Sequence, residues 1–369
     1  MEGPMNINGG LTIVPLTPAF LPYAQAVKEM IESGEGPFKI KTPVDIAPIK
    51  FGEHKHDADP RSAEPYAKLT KKHIGGHDCF LLGSGPGTWE VIGKYQIALK
   101  YLVGREARRI SMIAGYFPLT RSDKDDGEDI LAMVGMITRI FEDAGEGQLT
   151  KIIAADLHAQ QSVVGGKKTA LLVEVSMARR VLRKMLLDVI DKYGYKVPVV
   201  IVPPDKGAYE RFKPIIKMVM DEFKNNHPDL TIHHREGEKF RTDSTMATFL
   251  GVTGDTSVLP GAIILCFDDE IAKGDTVINT ARALREKYPI IDYWAGVTHG
   301  VFSYPAPERF SELDCPVSRV YASNTIPFEQ RPELTKLITQ KKFRLVSWVD
   351  ELAKIIYYRH LGESIRNIR

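Results

Sequence analysis

Short apolar, β-branched runs alternate with longer amphipathic stretches along most of the chain. Unbroken apolar runs of this length predict buried strands, and apolar positions spaced three and four apart predict helices. The strands fall at 78–83, 109–114, 151–155, 170–175, 198–202, 229–233, 262–267, 293–298, 317–322 and 343–347. The helices fall at about 20–33, 89–103, 128–144, 177–193, 207–224, 277–287 and 348–361. Strand alternating with helix implies an α/β fold, a mostly parallel sheet with helices on both faces. Ten strands exceed one comfortable sheet, so two similar α/β domains are expected. The segment Gly165-Gly166-Lys167-Lys168 is the most linker-like point near the middle. Residues 41–77 show no clear period and carry Pro, His, Lys and Asp; they read as a long irregular insertion, with a strand hairpin and mobile tip as the alternative.

Composition narrows the class. The 369 residues are 43% hydrophobic and 26% charged, with a net charge of +2, which suits a globular protein and gives no bulk attraction to nucleic acid. The three cysteines, Cys79, Cys266 and Cys315, form no CxxC pair, so neither a disulfide framework nor a cysteine zinc site is indicated. No apolar run approaches the ~20 residues of a membrane span. The first residues lack the basic start and apolar core of a signal peptide. A cytoplasmic protein without membrane partners is the expectation.

The chemistry concentrates where strands end. In Ala262–Thr276 a buried strand runs into Asp268-Asp269, then a short loop with Lys273-Gly274-Asp275-Thr276, then a helix. Adjacent carboxylates at the carboxyl end of a parallel strand can accept from two vicinal hydroxyls, and a helix start offers N–H groups to a phosphate. A surface Asp-Asp turn is the other reading. Asp156-Leu157-His158 and Pro203-Pro204-Asp205-Lys206-Gly207 also follow strands, so His158 and Asp205 can reach one Mg²⁺ carrying nucleotide phosphates. A histidine tied to a carbonyl explains His158 equally simply. Arg121-Ser122-Asp123-Lys124 can pair with a nucleotide, or form a solvated charge run before a helix. Gly83-Ser84-Gly85-Pro86-Gly87 lacks known phosphate-loop spacing and reads as a tight turn. The basic stretch His233–Arg241 can neutralise a phosphoryl group in flight, or be an exposed loop. The turn Thr298–Phe302 would shape a sugar pocket, with His299 structural.

These pieces, in this order, resemble the ribose-phosphate diphosphokinase family. The matching residues are Tyr116-Phe117-Pro118 with Arg121-x-Asp123-Lys124, Asp156-Leu157-His158-Ala159-x-Gln161, and Pro204-Asp205-x-Gly207-Ala208-x-x-Arg211. They continue with Phe267-Asp268-Asp269, Thr298-His299-Gly300-Val301-Phe302, Asn324-Thr325-Ile326-Pro327 and His360-x-Gly362-Glu363-Ser364-Ile365, covering about residues 78–369. Arg235-Glu236-Gly237-Glu238-Lys239 and Glu308-Arg309-Phe310 look most like the plant-type second class. The resemblance implies two phosphoribosyltransferase-like domains, 1–165 completed by 331–369, and 166–330. It implies transfer of the β,γ-diphosphoryl group of ATP to the anomeric hydroxyl of ribose 5-phosphate, with Mg²⁺. Arg121, Asp123 and His158 would meet ATP, and His158 and Asp205 the metal. Asp268, Asp269, Lys273, Gly274, Asp275 and Thr276 would hold the sugar phosphate. Arg235, Lys239 and His233 would act in catalysis. A homo-oligomer, dimer or hexamer, is implied.

Two departures stand out. The family's phosphate loop carries Ser or Thr, then Gly-Gly-Thr; here Lys273, Gly274, Asp275 and Thr276 take those places. A carboxylate where a dianionic phosphate sits costs binding unless Lys273 or Mg²⁺ offsets it, so a larger 5-substituted ribose such as ADP-ribose is an alternative acceptor. The family's Lys-x-Arg becomes His233-x-Arg235, with Lys239 as the replacement lysine. A non-catalytic regulatory subunit is a further alternative, which the retained His158, Asp205, Asp268 and Asp269 oppose.

Overall fold

The computed structural model describes residues 9–54, 64–71, 73–122, 132–158, 171–241, 247–328 and 331–365. The chain forms two compact units, one of residues 1–175 with 348–369 and one of residues 176–347. No helix among the described residues is long and apolar enough to cross a membrane.

The first unit is built on strands β1 (Leu11–Pro15), β2 (Val44–Ile46), β3 (Ile49–His54), β4 (Glu64–Leu69), β5 (Asp78–Gly83), β6 (Arg109–Ala114), β7 (Leu149–Ala155) and β8 (Leu172–Val175). Six of them form one sheet in the order β2-β1-β5-β6-β7-β8, every neighbouring pair parallel. Helices α1 (Leu21–Ser33), α2 (Trp89–Gly104) and α3 (Val134–Ala144) flank it. A parallel sheet covered on both faces needs apolar residues at successive positions, and β5 is buried along its whole length. Cys79, Leu81 and Met112 pack against Tyr95 and Leu99 of α2 and Phe141 of α3. The insertion 41–77 supplies β2 and an antiparallel hairpin, with Ile49 opposite Leu69; its tip, 55–63, lies outside the described residues. Strand β1, second in the sheet, is not among the predicted strands; its apolar run ends in Pro15 and leads into a proline-bearing turn, which interrupts the pattern.

The second unit contains α4 (Ala178–Tyr193), β9 (Val199–Ile201), α5 (Lys206–Asn226), β10 (Ile232–His234), β11 (Gly237–Arg241), β12 (Ala247–Val252), β13 (Ile263–Ile271), α6 (Asp275–Lys287), β14 (Asp292–Gly300), α7 (Ala306–Ser311), β15 (Arg319–Ser323), α8 (Thr335–Thr339) and β16 (Phe343–Val346). Its sheet runs β10-β9-β13-β14-β15-β16, again all parallel. Strand residues alternate between its faces: Ile264 and Cys266 join one buried cluster, and Ile263, Leu265 and Phe267 the other. At the amino end of β14 the Asp292 carboxylate accepts from Tyr193 Oη at 2.6 Å, Trp294 Nε1 at 2.8 Å, Lys192 Nζ at 3.1 Å, the Tyr293 N–H at 2.8 Å and the Ser318 hydroxyl.

The division differs from the expected boundaries 165/166 and 330/331. β8 pairs with β7, which extends the first unit to Val175. β16 pairs with β15, which keeps residues 331–347 in the second unit. Only the last helix, α9 (Val349–His360), and the tail return to the first unit. Arg359 donates to Thr150 Oγ1 at 2.8 Å, Arg109 donates to the Arg359 carbonyl at 2.7 Å, and His360 Nδ1 lies 3.0 Å from the buried Asp78 carboxylate. Residues 165–168, the expected linker, lie outside the described residues.

Candidate active site

Three loops knit together at the carboxyl edge of the first sheet. After β5, the Gly85 N–H donates to the Tyr116 carbonyl at 2.7 Å, and the Tyr116 N–H donates to Ser84 Oγ at 2.9 Å. A Cβ on Gly85 would lie 2.6 Å from the Tyr116 ring, so this position needs glycine for close approach and the loop is a turn. After β7, Asp156-Leu157-His158 is pinned from three sides. The Asp156 N–H donates to the Val175 carbonyl at 3.2 Å, the Leu157 N–H to Glu174 Oε1 at 2.8 Å, and the His158 N–H to Thr120 Oγ1 at 3.0 Å. Since Thr120 precedes Arg121, exposed Arg121 and exposed His158 stand on neighbouring strand ends. Asp123, Lys124 and Gln161 lie outside the described residues.

In the second unit, adjacent strands β9 and β13 bring their acids to one edge. Asp205 is the N-cap of α5, its Oδ1 accepting from the Ala208 N–H at 3.0 Å. Asp268 is half-buried and its Oδ1 accepts from the Asp269 N–H at 2.9 Å. Burial pushes the Asp268 carboxyl well above the usual carboxylate range, and the charges of Asp269 and Asp205 push the same way. Asp269 is buried and meets Arg211 of α5 at 3.4 Å. In the sequence Arg211 stands only as part of a motif; in the fold its charge balances the acid pair from inside α5. Asp205, Asp268 and Asp269 place carboxylate oxygens, the hard donors that Mg²⁺ prefers, along this edge. His158 belongs to the first unit and Asp205 to the second.

The basic segment is tied to the same strand end. The Arg235 N–H donates to the Ile201 carbonyl at 2.9 Å and the Gly237 N–H to the Pro203 carbonyl at 3.2 Å, two residues before Asp205. The Arg235 guanidinium donates to the Asp255 carbonyl at 2.7 Å and the His234 carbonyl at 2.8 Å. His233 is half-buried in β10, opposite Val200 of β9. His234 stacks on Tyr209 with ring centres 5.7 Å apart; burial, then the charges of Lys217, Arg235, Lys213 and His233, hold it below the usual histidine range. Lys239 lies on β11 opposite Phe249, where the hairpin register shifts.

The loop after β13 turns at Gly274, whose φ is +81° and which precedes the first residue of α6. Gly274 has no side chain to cap α6, leaving the first-turn donors without that cap. Lys273 is exposed and Thr276 half-buried. Asp275 pairs with a residue to which the sequence assigns no part in the phosphate loop: Arg309 of α7 donates from Nη1 to Asp275 Oδ1 at 2.5 Å and to the Lys273 carbonyl at 3.4 Å. No local signal marks it, because α7 reaches the loop only through the fold. His299 is fully buried, 2.9 Å from Thr325 Oγ1, a structural position.

No protein-family model matches the chain. It is 24% identical over 308 residues to "Ribose-phosphate pyrophosphokinase 2, chloroplastic" of Spinacia oleracea, covering 83% of this chain and 69% of that protein. It is 26% identical over 311 residues to the protein of the same name from Arabidopsis thaliana, covering 83% and 68%, and 26% identical over 254 residues to the ribose-phosphate pyrophosphokinase of Hyphomonas neptunium, covering 65% and 70%. Among solved structures, phosphoribosylpyrophosphate synthetase from Mycobacterium smegmatis superposes with a TM-score of 0.67 at 19% identity, covering 96% of this chain and 99% of that one. The likeness establishes the phosphoribosyltransferase-like fold of two mostly parallel sheets flanked by helices.

Proposed function

We propose that this chain, a divergent relative of the ribose-phosphate pyrophosphokinases, transfers the β,γ-diphosphoryl group of ATP to the anomeric hydroxyl of ribose 5-phosphate, giving phosphoribosyl diphosphate and AMP. The observation that carries this reading is the convergence of Asp268, Asp269 and Asp205 with the Gly274 turn and the start of α6 in one unit. On this reading two vicinal ribose hydroxyls donate to Asp268 and Asp269, and the first turn of α6 faces the sugar's phosphate. The anomeric hydroxyl attacks the β-phosphorus and gives up its proton to solvent, the bond from that phosphorus to the oxygen of the α-phosphate breaks, and AMP leaves with that oxygen and its electron pair. Positioning and charge neutralisation supply most of such a reaction's acceleration, so the protein needs no covalent intermediate. Arg121, Asp123 and His158 hold the nucleotide, and Arg235, Lys239 and His233 spread the charge that develops on the moving group. Asp205 and His158 would hold Mg²⁺, which would supply neutralisation of phosphate charge. The working form is a homo-oligomer.

A second reading is favoured by one observation, the carboxylate of Asp275 in the phosphate loop. The acceptor is then a larger 5-substituted ribose such as ADP-ribose, and the chemistry is the same. AMP release from ATP and Mg²⁺, measured with ribose 5-phosphate, with ADP-ribose and with neither, separates the readings. Release that depends on ribose 5-phosphate supports the first and release that depends on ADP-ribose supports the second. The same slow release with all three would overturn both.

A further inference from the structure

We propose that Arg309 reads the acceptor's 5′-phosphoryl group, and that Asp275 restricts it to a singly charged one, as in a phosphodiester or a diphosphate-linked ribose. This rests on the second acceptor reading given above, the 5-substituted ribose, and names the residues that decide its 5′ end. The guanidinium reaches from α7 to the turn before α6, and only its Nη1 is engaged there, by Asp275 Oδ1 and the Lys273 carbonyl. Its Nε and Nη2 have no partner among the described residues. The planar fork of arginine can therefore hold Asp275 with one nitrogen and two oxygens of a phosphoryl group with the others.

The seat of the arginine is rigid. Its neighbour Phe310 is buried beneath Gly274, where an added Cβ would lie 2.8 Å from the ring, so α7 and the loop keep a set separation. The Asp275 side chain is 56% exposed and that of Arg309 26%, which argues against a buried ion pair kept for packing. In the turn and its partner, Lys273 and Arg309 are positive and Asp275 negative, with Glu308 exposed beside Arg309 on α7. The fixed carboxylate repels a dianionic monoester about twice as strongly, because repulsion scales with the ligand's charge.

The test compares two acceptors, ribose 5-phosphate and its 5′-methyl phosphodiester, at pH 8, where the first is a dianion. Asp275→Asn is expected to lower KM for ribose 5-phosphate about fivefold to tenfold and that for the ester only about twofold to threefold, the square root of the first change. Arg309→Gln is expected to raise KM for both about 10- to 100-fold with kcat within about threefold. An unchanged ratio of the two acceptors in Asp275→Asn, or unchanged KM values in Arg309→Gln, overturns the proposal. Calorimetric titration of the same two compounds onto the full chain without ATP reads the same ratio of affinities. The inference therefore stands or falls separately from the catalytic reading: differential binding without AMP release would refute only the latter.

Discussion

The Asp268 carboxyl, at the end of β13, is pushed above the ordinary carboxylate range by burial, then by Asp269 beside it and by Asp205. Asp268→Asn keeps an oxygen to accept the Asp269 N–H, now at 2.9 Å, and removes only the ionisable one. The folded protein binds this proton more tightly than the unfolded chain does. Its contribution to stability is therefore intact below the ordinary carboxylate pKa, declines as pH rises through it, and levels off above the raised folded value. Each unit of difference is worth about 1.4 kcal/mol, and a half-buried carboxylate facing two others commonly costs about 1–3 kcal/mol. Relieving that strain raises the melting temperature of a unit of this size by about 3–10 °C. Thermal scans of wild type and variant at pH 8 and pH 4 measure it, with the gain present at pH 8 and shrinking towards zero at pH 4. On the proposed reading the same variant loses about 100-fold or more in AMP release, because a hydroxyl of the acceptor loses its anionic partner. A variant less stable than wild type at pH 8, or a gain of equal size at both pH values, would refute the reasoning.

Asp292→Ala removes the acceptor shared by Tyr193, Trp294, Ser318 and Lys192, and should cost about 3–5 kcal/mol in chemical denaturation. Burial pushes the Asp292 carboxyl up, but those donors hold it below its usual range, so this stability is present above the ordinary Asp pKa and lost as pH falls through the lower folded value. Gly274→Ala places a Cβ 2.8 Å from Phe310 at a φ of +81°, and should raise the acceptor KM about tenfold by shifting the loop, read in initial rates across acceptor concentration. Lys239→Ala should lower turnover by about 10²–10³-fold if that lysine replaces the family's, and an unchanged rate removes it from the mechanism.

The buried strands β5, β6, β13 and β14 were legible because a parallel strand covered on both faces is apolar at most successive positions, a property of the local chain. The motifs were legible for the same reason: Asp156-Leu157-His158 and Asp268-Asp269 each lie on consecutive residues where a strand stops. Even the turn at Gly274 is local, since it follows the strand and opens the helix. What the sequence could not decide was set by contacts between distant residues. The place of β16 depends on its pairing with β15, and the return of α9 on Arg109, Asp78 and Thr150, more than two hundred residues away in the chain. Arg235 finds Asp255 across 20 residues, and Arg309 finds Asp275 across 34. In the sequence Asp275 reads as a stray negative charge in a phosphate loop. The packing of Phe310 under Gly274 brings Arg309 to it and turns that carboxylate into half of an ion pair, because side-chain packing, and not spacing along the chain, decides which charges meet.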